Sequence, residues 1–350
     1  MLKLKNQIIA LCAMCLSLTA CAAKPSDHPD KPHHTKNGFK NVHHYEPTTF
    51  WDFLKWRLGN TRQKEQATEL YNFQMAENDP AFLRQNRTRN TATWIGHATL
   101  LLQLNGKNIL TDPIFADRAS PVQWAGPRRV MPPGLTLADL PAIDFVLISH
   151  DHYDALDQNS VLSLRARPDG DKTKFFVPLG LKKWFTNHEI SNVVELDWWE
   201  QADEPEITIT AVPVQHWSKR SLFTKNKTLW AGWAMNSSGF NFFFAGDSGY
   251  TPHFKEIGER LGPFDLAAIP IGAYSPQWFM GKHHITPEEA MQVHEDIKSR
   301  QSIAIHWGTF TLTDERLDEP PKRLSRIRED KNLPPEEFIV LKHGQTIFLP

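Results

Sequence analysis

Cysteine is almost missing from this 350-residue chain: its three copies, Cys12, Cys15 and Cys21, all fall in the first 21 residues. A disulfide-stapled scaffold is thereby excluded for the body of the protein, which has to rest on a buried apolar core, and its length is ample for one. A surplus of either charge is missing too. The 39 Lys and Arg nearly cancel the 40 Asp and Glu, leaving a formal net charge of −1. With no basic block either, the chain has no electrostatic footprint for nucleic acid. After Ala22 no apolar run approaches the roughly 20 residues that a membrane-crossing helix requires. These absences predict a soluble body with its own core.

What is present begins with an apparent export signal at residues 1–20. Lys3 and Lys5 form a basic start, residues 8–18 an apolar middle too short to remain as a membrane span, and small residues follow. Leu18-Thr19-Ala20-Cys21 resembles the bacterial lipoprotein cleavage box. That resemblance makes Cys21 the lipidated first residue of the mature chain, held stably by several acyl chains. Ala22, where an Asp would retain such a protein at the inner membrane, fits an outer-membrane location facing the periplasm. Residues 21–48 carry Pro25, Pro29, Pro32 and the pairs His33-His34 and His43-His44, and are expected to be a flexible, solvated spacer. Residues 49–350 are expected to form one domain, opening with short helices whose apolar residues recur helically from Phe50 to Phe82.

From residue 93 the pattern changes to strands ending in turns. Strands are expected at 93–104, 107–111, 145–149, 175–177, 193–196, 207–213, 228–236, 241–245, 266–270, 302–305, 337–341 and 346–349. Helices are expected at 159–164, 179–187, 252–261, 287–298 and 322–330, the fourth begun by Pro287 with Glu288 and Glu289 in its first turn. Alternating strands and helices with many hairpins predict an α/β (α+β) domain, two sheets packed face to face under helices.

The richest chemistry follows the apolar run ending at Ile148: Ser149-His150-Asp151-His152-Tyr153-Asp154-Ala155-Leu156-Asp157. Two histidines and a carboxylate at alternate positions supply the imidazole and carboxylate donors that zinc uses, with room for water in a catalytic site. Similar strand ends recur: His216 after 207–213, Asp247 inside Gly246-Asp247-Ser248-Gly249, His306 after 302–305, and His283-His284 before a helix. Any one of them is as readily a structural group; the ordered set points to one composite site. Ser248 as a hydrolase nucleophile is disfavoured, since neither disulfides nor a position near the domain start supports it.

These motifs resemble the metallo-β-lactamase-fold hydrolases, and within them the N-acylphosphatidylethanolamine phospholipase D family. Beyond the ligands, the similar phrases include Thr93-Trp94-Ile95-Gly96-His97-Ala98-Thr99, Leu110-Thr111-Asp112-Pro113-Ile114-Phe115, Gly126-Pro127-Arg128-Arg129, Gln215-His216-Trp217-Ser218 and His306-Trp307-Gly308-Thr309-Phe310. The run Gly262-Pro263-Phe264-Asp265-Leu266-Ala267-Ala268-Ile269-Pro270-Ile271-Gly272-Ala273-Tyr274 is far longer than a metal motif needs. The resemblance extends from about residue 89 to the end. It implies an αββα sandwich holding two Zn2+ ions, one on His150, His152 and His216, with Asp247 bridging to a second on Asp154 and His306. It implies hydrolysis of a phospholipid phosphodiester by metal-bound hydroxide, with Asp154, Asp247 and His284 at the reacting centre. His284 would orient phosphate or protonate the leaving oxygen, and Asp157 would hold a ligand imidazole from behind. His97 and Asp112 belong either to the site or to the buried framework.

The chain departs from the family at Ala155, where a further histidine ligand of the second metal is expected. Asp151 points to the opposite side of an extended segment and is not expected to replace it. Three outcomes follow: a weakened two-zinc enzyme, a one-zinc enzyme, or a protein without catalysis. Hydrolysis of a lactone or other ester, and a catalytically impaired envelope lipoprotein, are the alternative functions. For lipid access, Trp124, Val130, Met131, Trp278, Phe279 and Met280 are expected at the rim beside Arg128 and Arg129.

Overall fold

The computed structural model describes residues 31–43, 48–59, 71 and 73–350. The expected signal, the lipidated Cys21, His44 and the helical stretch near Leu70 lie outside the described residues. Among the described residues the strands in chain order are β1 (His34–Thr35), β2 (Gly38–Phe39), β3 (Thr91–Gly96), β4 (Thr99–Leu104), β5 (Lys107–Thr111), β6 (Phe145–Leu147), β7 (Lys174–Pro178), β8 (Val193–Leu196), β9 (Gln201–Glu204), β10 (Ile207–Val212), β11 (Gly232–Ser237), β12 (Phe240–Phe244), β13 (Leu266–Pro270), β14 (Ser302–Ile305), β15 (Phe338–Ile339) and β16 (Thr346–Phe348). The helices are α1 (Phe50–Leu58), α2 (Pro80–Gln85), α3 (Gln158–Arg165), α4 (Lys182–Asn187), α5 (His253–Arg260), α6 (Gln277–Met280), α7 (Pro287–Asp296) and α8 (Glu319–Asp330).

Two seven-stranded sheets run β16-β3-β4-β5-β6-β7-β8 and β15-β14-β13-β12-β11-β10-β9. Each is antiparallel at one side and parallel at the other, where β5 to β8 and β12 to β15 lie side by side. Strand alternation explains the layering. On β4, Leu100, Leu102 and Leu104 face the inter-sheet core, while Leu101 faces outward. On β7, Phe176 points in, while Phe175 and Val177 pack with Val161 and Leu164 of α3 and Phe185 of α4. Phe254 of α5 and Met291 of α7 cover the second sheet. Helices thus close both outer faces, which is the expected αββα sandwich. The start of α7 matches its reading: Thr286 and Glu289 form a reciprocal capping box, with Pro287 in the first turn.

Three expectations need correction. The strand expected over 93–104 is a hairpin, because Gly96 (φ 138°) and His97 (φ 53°) turn the chain inside the apolar run. The polar Gln201–Glu204 was not expected to be a strand; as the edge strand of its sheet it needs no apolar alternation. Residues 31–43, expected in the flexible spacer, are instead built onto the domain. Phe39 is buried in the core, His33 stacks on Trp198, and Asp197 gathers Lys31, His33 and His34, each at 2.7 Å. The His33-His34 pair is therefore neither solvated nor free.

Candidate metal centre

The carboxyl ends of strands from both sheets converge, as ligand sites in sheets with parallel strands commonly do. The loop after β6 carries His150, His152 and Asp154; the loop after β10 carries His216, that after β12 Asp247, and β14 runs directly into His306. One glycine lets these loops meet. Gly246 has φ 60°, and a Cβ there would stand 2.4 Å from the Ser149 Cβ. The close approach sets His150 Nε2 3.7 Å from Asp247 Oδ2.

The donors fall into touching groups whose ligand atoms lie within 4.8 Å of one another: His150 with His152 and His216, His150 with Asp154 and Asp247, His216 with Asp247 and His284, and His97 with Asp154 and His306. The resemblance's residues are thus brought together, and His97 joins them. The hydrogen bonds behind the rings decide which nitrogens face inward. His216 Nδ1 lies 3.0 Å from the His283 carbonyl, which only accepts, so Nε2 keeps its lone pair and sits 3.2 Å from His152 Nδ1. Ser149 donates through its N–H and Oγ to Asp112, and His150 Nδ1 lies 2.8 Å from the same Oγ, leaving His150 Nε2 buried without a partner. His306 Nε2 lies 3.2 Å from Asp247 Oδ1 and 3.5 Å from Asp154 Oδ2, without a hydrogen bond's geometry to either. Buried imidazole nitrogens facing carboxylates but not bonded to them are what a cation between them would satisfy. The donor set fits a metal pair.

Charge tells the same story. Burial drives His150 down to about 3, with His152 adding to the effect. Burial also opposes charge on His306, yet Asp247 and Asp154 raise it to about 10. Burial alone would raise the Asp154 carboxyl, but His306 and His97 hold it well below the usual range. Two buried carboxylates here require positive charge beside them.

Several expected roles change. Asp157 does not hold an imidazole; it caps α3, accepting from the Ser160 N–H at 3.0 Å and its Oγ at 2.5 Å. Asp112 supports His150 through Ser149, and burial holds its carboxyl well above the ordinary range. Asp151 is turned away, accepting from the Lys219 N–H and Thr228 Oγ1. Arg220 ties the ligand loop by donating to the Asp151 and Leu156 carbonyls at 2.9 and 2.8 Å. Ser248 is wholly buried, its Oγ donating to the Gly249 carbonyl.

Residues 107–307 match the model of the β-lactamase superfamily domain. An N-acyl-phosphatidylethanolamine-hydrolyzing phospholipase D from Caenorhabditis elegans is 46% identical over 266 residues, covering 73% of this chain and 74% of that protein. The chain belongs to this family. A mitochondrial protein of the same description from Saccharomyces cerevisiae is 36% identical over 244 residues, 68% of this chain and 51% of the yeast protein. Among solved structures, a metallo hydrolase from Ignicoccus hospitalis aligns with a TM-score of 0.57 at 20% identity, over 75% of this chain and 99% of that one, a likeness of fold. As a member of the metallo-β-lactamase superfamily with phospholipase D relatives, this chain is a metal-dependent hydrolase.

In this phospholipase D relative, a cleft of about 690 Å³ opens on the site. At its inner end stand His152, Asp154, Asp247 and His284; toward the rim it is lined by Phe50, Phe53, Trp56, Phe279 and Met280. Trp56 stacks on Phe279 at 5.2 Å, so α1 and α6 form a joint apolar wall. This wall escaped the sequence reading, which took α1 only as a packing helix, although its helical run of aromatics was visible. Of the expected rim, Trp124 (82% exposed), Val130 and Trp278 are exposed, but Met131 and Phe279 are buried. Arg129 turns inward to the Ile114 and Ala116 carbonyls, so it does not face lipid; Arg128 remains exposed. A second unforeseen element is the N-terminal segment: Asn41 donates to the His216 carbonyl at 2.9 Å and so braces a ligand loop.

Proposed function

We propose that this hydrolase is a zinc-dependent phosphodiesterase that cleaves N-acylated phosphatidylethanolamine into phosphatidic acid and an N-acylethanolamine. The observation that carries the reading is the cleft, with carboxylates and imidazoles at one end and an aromatic wall at the other. A phosphodiester between two apolar arms matches that division, and the phospholipase D relatives support it. The nitrogen and carboxylate donors suit zinc, with His150, His152, His216 and Asp247 for one ion and Asp154, Asp247 and His306 for the other. Bound there, zinc supplies Lewis-acid polarisation of a phosphoryl oxygen and water acidified to a pKa of about 7. Asp247 has one oxygen toward His150 and the other toward His306, which suits a bridge. His284, with a buried unpartnered Nδ1, stands between His216 and His306 and offers a hydrogen bond to phosphate or to the leaving oxygen. Phe50, Phe53 and Phe279 hold an acyl chain, and Lys219 and Lys225 at the same cleft favour an anionic substrate.

No helix among the described residues is long and apolar enough to cross a membrane. We place the protein at the outer membrane, facing the periplasm and held by acylated Cys21, where its lipid substrate is at hand. The test is turnover of N-acylphosphatidylethanolamine by zinc-loaded protein beside a panel of lactones and simple esters. Release of phosphatidic acid is expected; lactone hydrolysis without phospholipid turnover would move the chain to a different chemistry.

A further inference from the structure

Ala155 leaves the second metal one ligand short of the family's set, and the fold brings a further imidazole to Asp154. We infer that His97, from the turn between β3 and β4, supplies the missing imidazole, so that the second metal is held by His97, Asp154, Asp247 and His306. The inference rests on the two-metal reading of the site.

The distances carry it. Tetrahedral zinc with arms of about 2.0–2.2 Å puts neighbouring ligand atoms roughly 3.3–3.6 Å apart. His97 Nε2 lies 3.2 Å from Asp154 Oδ2, His306 Nε2 3.5 Å from the same oxygen, and His306 Nε2 3.2 Å from Asp247 Oδ1. These three separations match three of the six edges of one tetrahedral shell, and His97, Asp154 and His306 form one group of ligand atoms within 4.8 Å of one another. Of the other nearby donors, Asp151 is engaged with Lys219 and Thr228 and Asp157 with the cap of α3, while His284 groups with His216 and Asp247 on the side of the first metal.

The backbone around His97 is arranged for this placement. His97 and His306 both adopt left-handed conformations, φ 53° and 60°, which cost energy in non-glycine residues and gather at functional sites. They are joined directly, the His306 N–H donating to the His97 carbonyl at 2.9 Å, with the two ring centroids 4.0 Å apart. Trp94 Nε1 donates to that same carbonyl, and the His97 N–H donates to Thr309 Oγ1 at 2.8 Å. The His97 backbone is thus held by three hydrogen bonds, and the residue is buried at 2% exposure with its ring Nε2 facing Asp154. The competing role is outer support, in which His97 only hydrogen-bonds Asp154.

The test separates the two. His97→Asn tolerates the left-handed backbone and keeps a side chain able to donate to Asp154, but offers zinc no imidazole. Full-length protein purified in detergent is dialysed against buffered zinc, and metal content and affinity are read by elemental analysis and chelator competition. Wild type is expected to hold two zincs per chain, and His97→Asn one, with affinity for the second ion lowered at least about 100-fold, beyond the 10- to 100-fold of an outer partner. Adding Ala155→His to His97→Asn is expected to restore the second ion. Two zincs in His97→Asn, with affinity for the second ion unchanged or lowered by no more than the 10- to 100-fold of an outer partner, would overturn the inference and reduce His97 to outer support at most. One zinc in wild type rising to two in Ala155→His would mean that the gap is open, and overturns the inference while keeping the hydrolase reading. No metal in any form sinks both. Should His97→Asn fail to fold, cobalt-substituted wild type still decides: paramagnetically shifted imidazole N–H signals number five if His97 ligates and four if it does not.

Discussion

Single residues set the tolerances of this site, and Gly246 sets a tight one. Its left-handed backbone and the Ser149 Cβ 2.4 Å from any added methyl leave no room for a side chain. Gly246→Ala is expected to lose about 2–5 kcal/mol, combining left-handed strain with overpacking. Because the contact joins the His150 and Asp247 loops, metal affinity should fall with it, which thermal melting and metal titration measure together. A variant of wild-type stability and metal content would show the loop contact to be dispensable. At this scale the site was largely legible. His150, His152, Asp154, His216, Asp247 and His306 each stand at a strand end, a position the apolar runs reveal. The supports were not. Asp157 reads like an imidazole partner in sequence, but only the fold discloses that its carboxylate is consumed by the cap of α3. For His97 the sequence left site and framework open, because the apolar run on both sides of it reads as one unbroken strand.

Among elements, the apolar wall made by α1 and α6 decides what can enter. Phe53→Ala removes an aromatic surface from the cleft without touching a metal-facing residue. Raised KM for long-chain substrate, with kcat nearly kept and a short-chain soluble phosphodiester unaffected, is the expected pattern, for it marks lost uniform binding. Equal losses on both substrates would place Phe53 in the framework instead. The sheets were the most readable elements, since β8, β13 and β14 begin and end where their apolar runs do. Edge strand β9 was not, because its pairing with β10 rather than its side chains makes it a strand.

For the whole molecule, the docked N-terminal segment and the candidate metal centre are the two couplings to test. Burial opposes the ionised form of Asp197, but His33, Lys31 and His34 outweigh it and hold its carboxyl well below the ordinary range. A depressed carboxyl contributes stability that is complete above its unfolded pKa of about 3.9 and is lost as pH falls toward the folded value. Proteolysis within residues 31–43 should therefore stay slow above about pH 5 and accelerate below pH 4. Asp197→Asn should bring fast cleavage at neutral pH, through a loss on the order of 2 kcal/mol. Equal cleavage at all pH values would count against this carboxylate as the clasp. Chelation is expected to lower Tm by several degrees and re-added zinc to restore it, since a ligand at a thousandfold excess over its Kd contributes about 4 kcal/mol. An unchanged Tm in calorimetry would mean that the folded chain does not take up the metal.

The clasp at Asp197 also changes the reach of the protein. If the chain is moored at Cys21, its leash ends not at α1 but at Lys31, where the first side chain reaches Asp197. Ten peptide steps extend to about 35 Å at most, against roughly 95 Å for a tether running free to residue 48. Such a mooring keeps the domain within about its own diameter of the bilayer. With Asn41 tied to the His216 loop, it also limits how far the cleft can roll away from the lipid it would draw from.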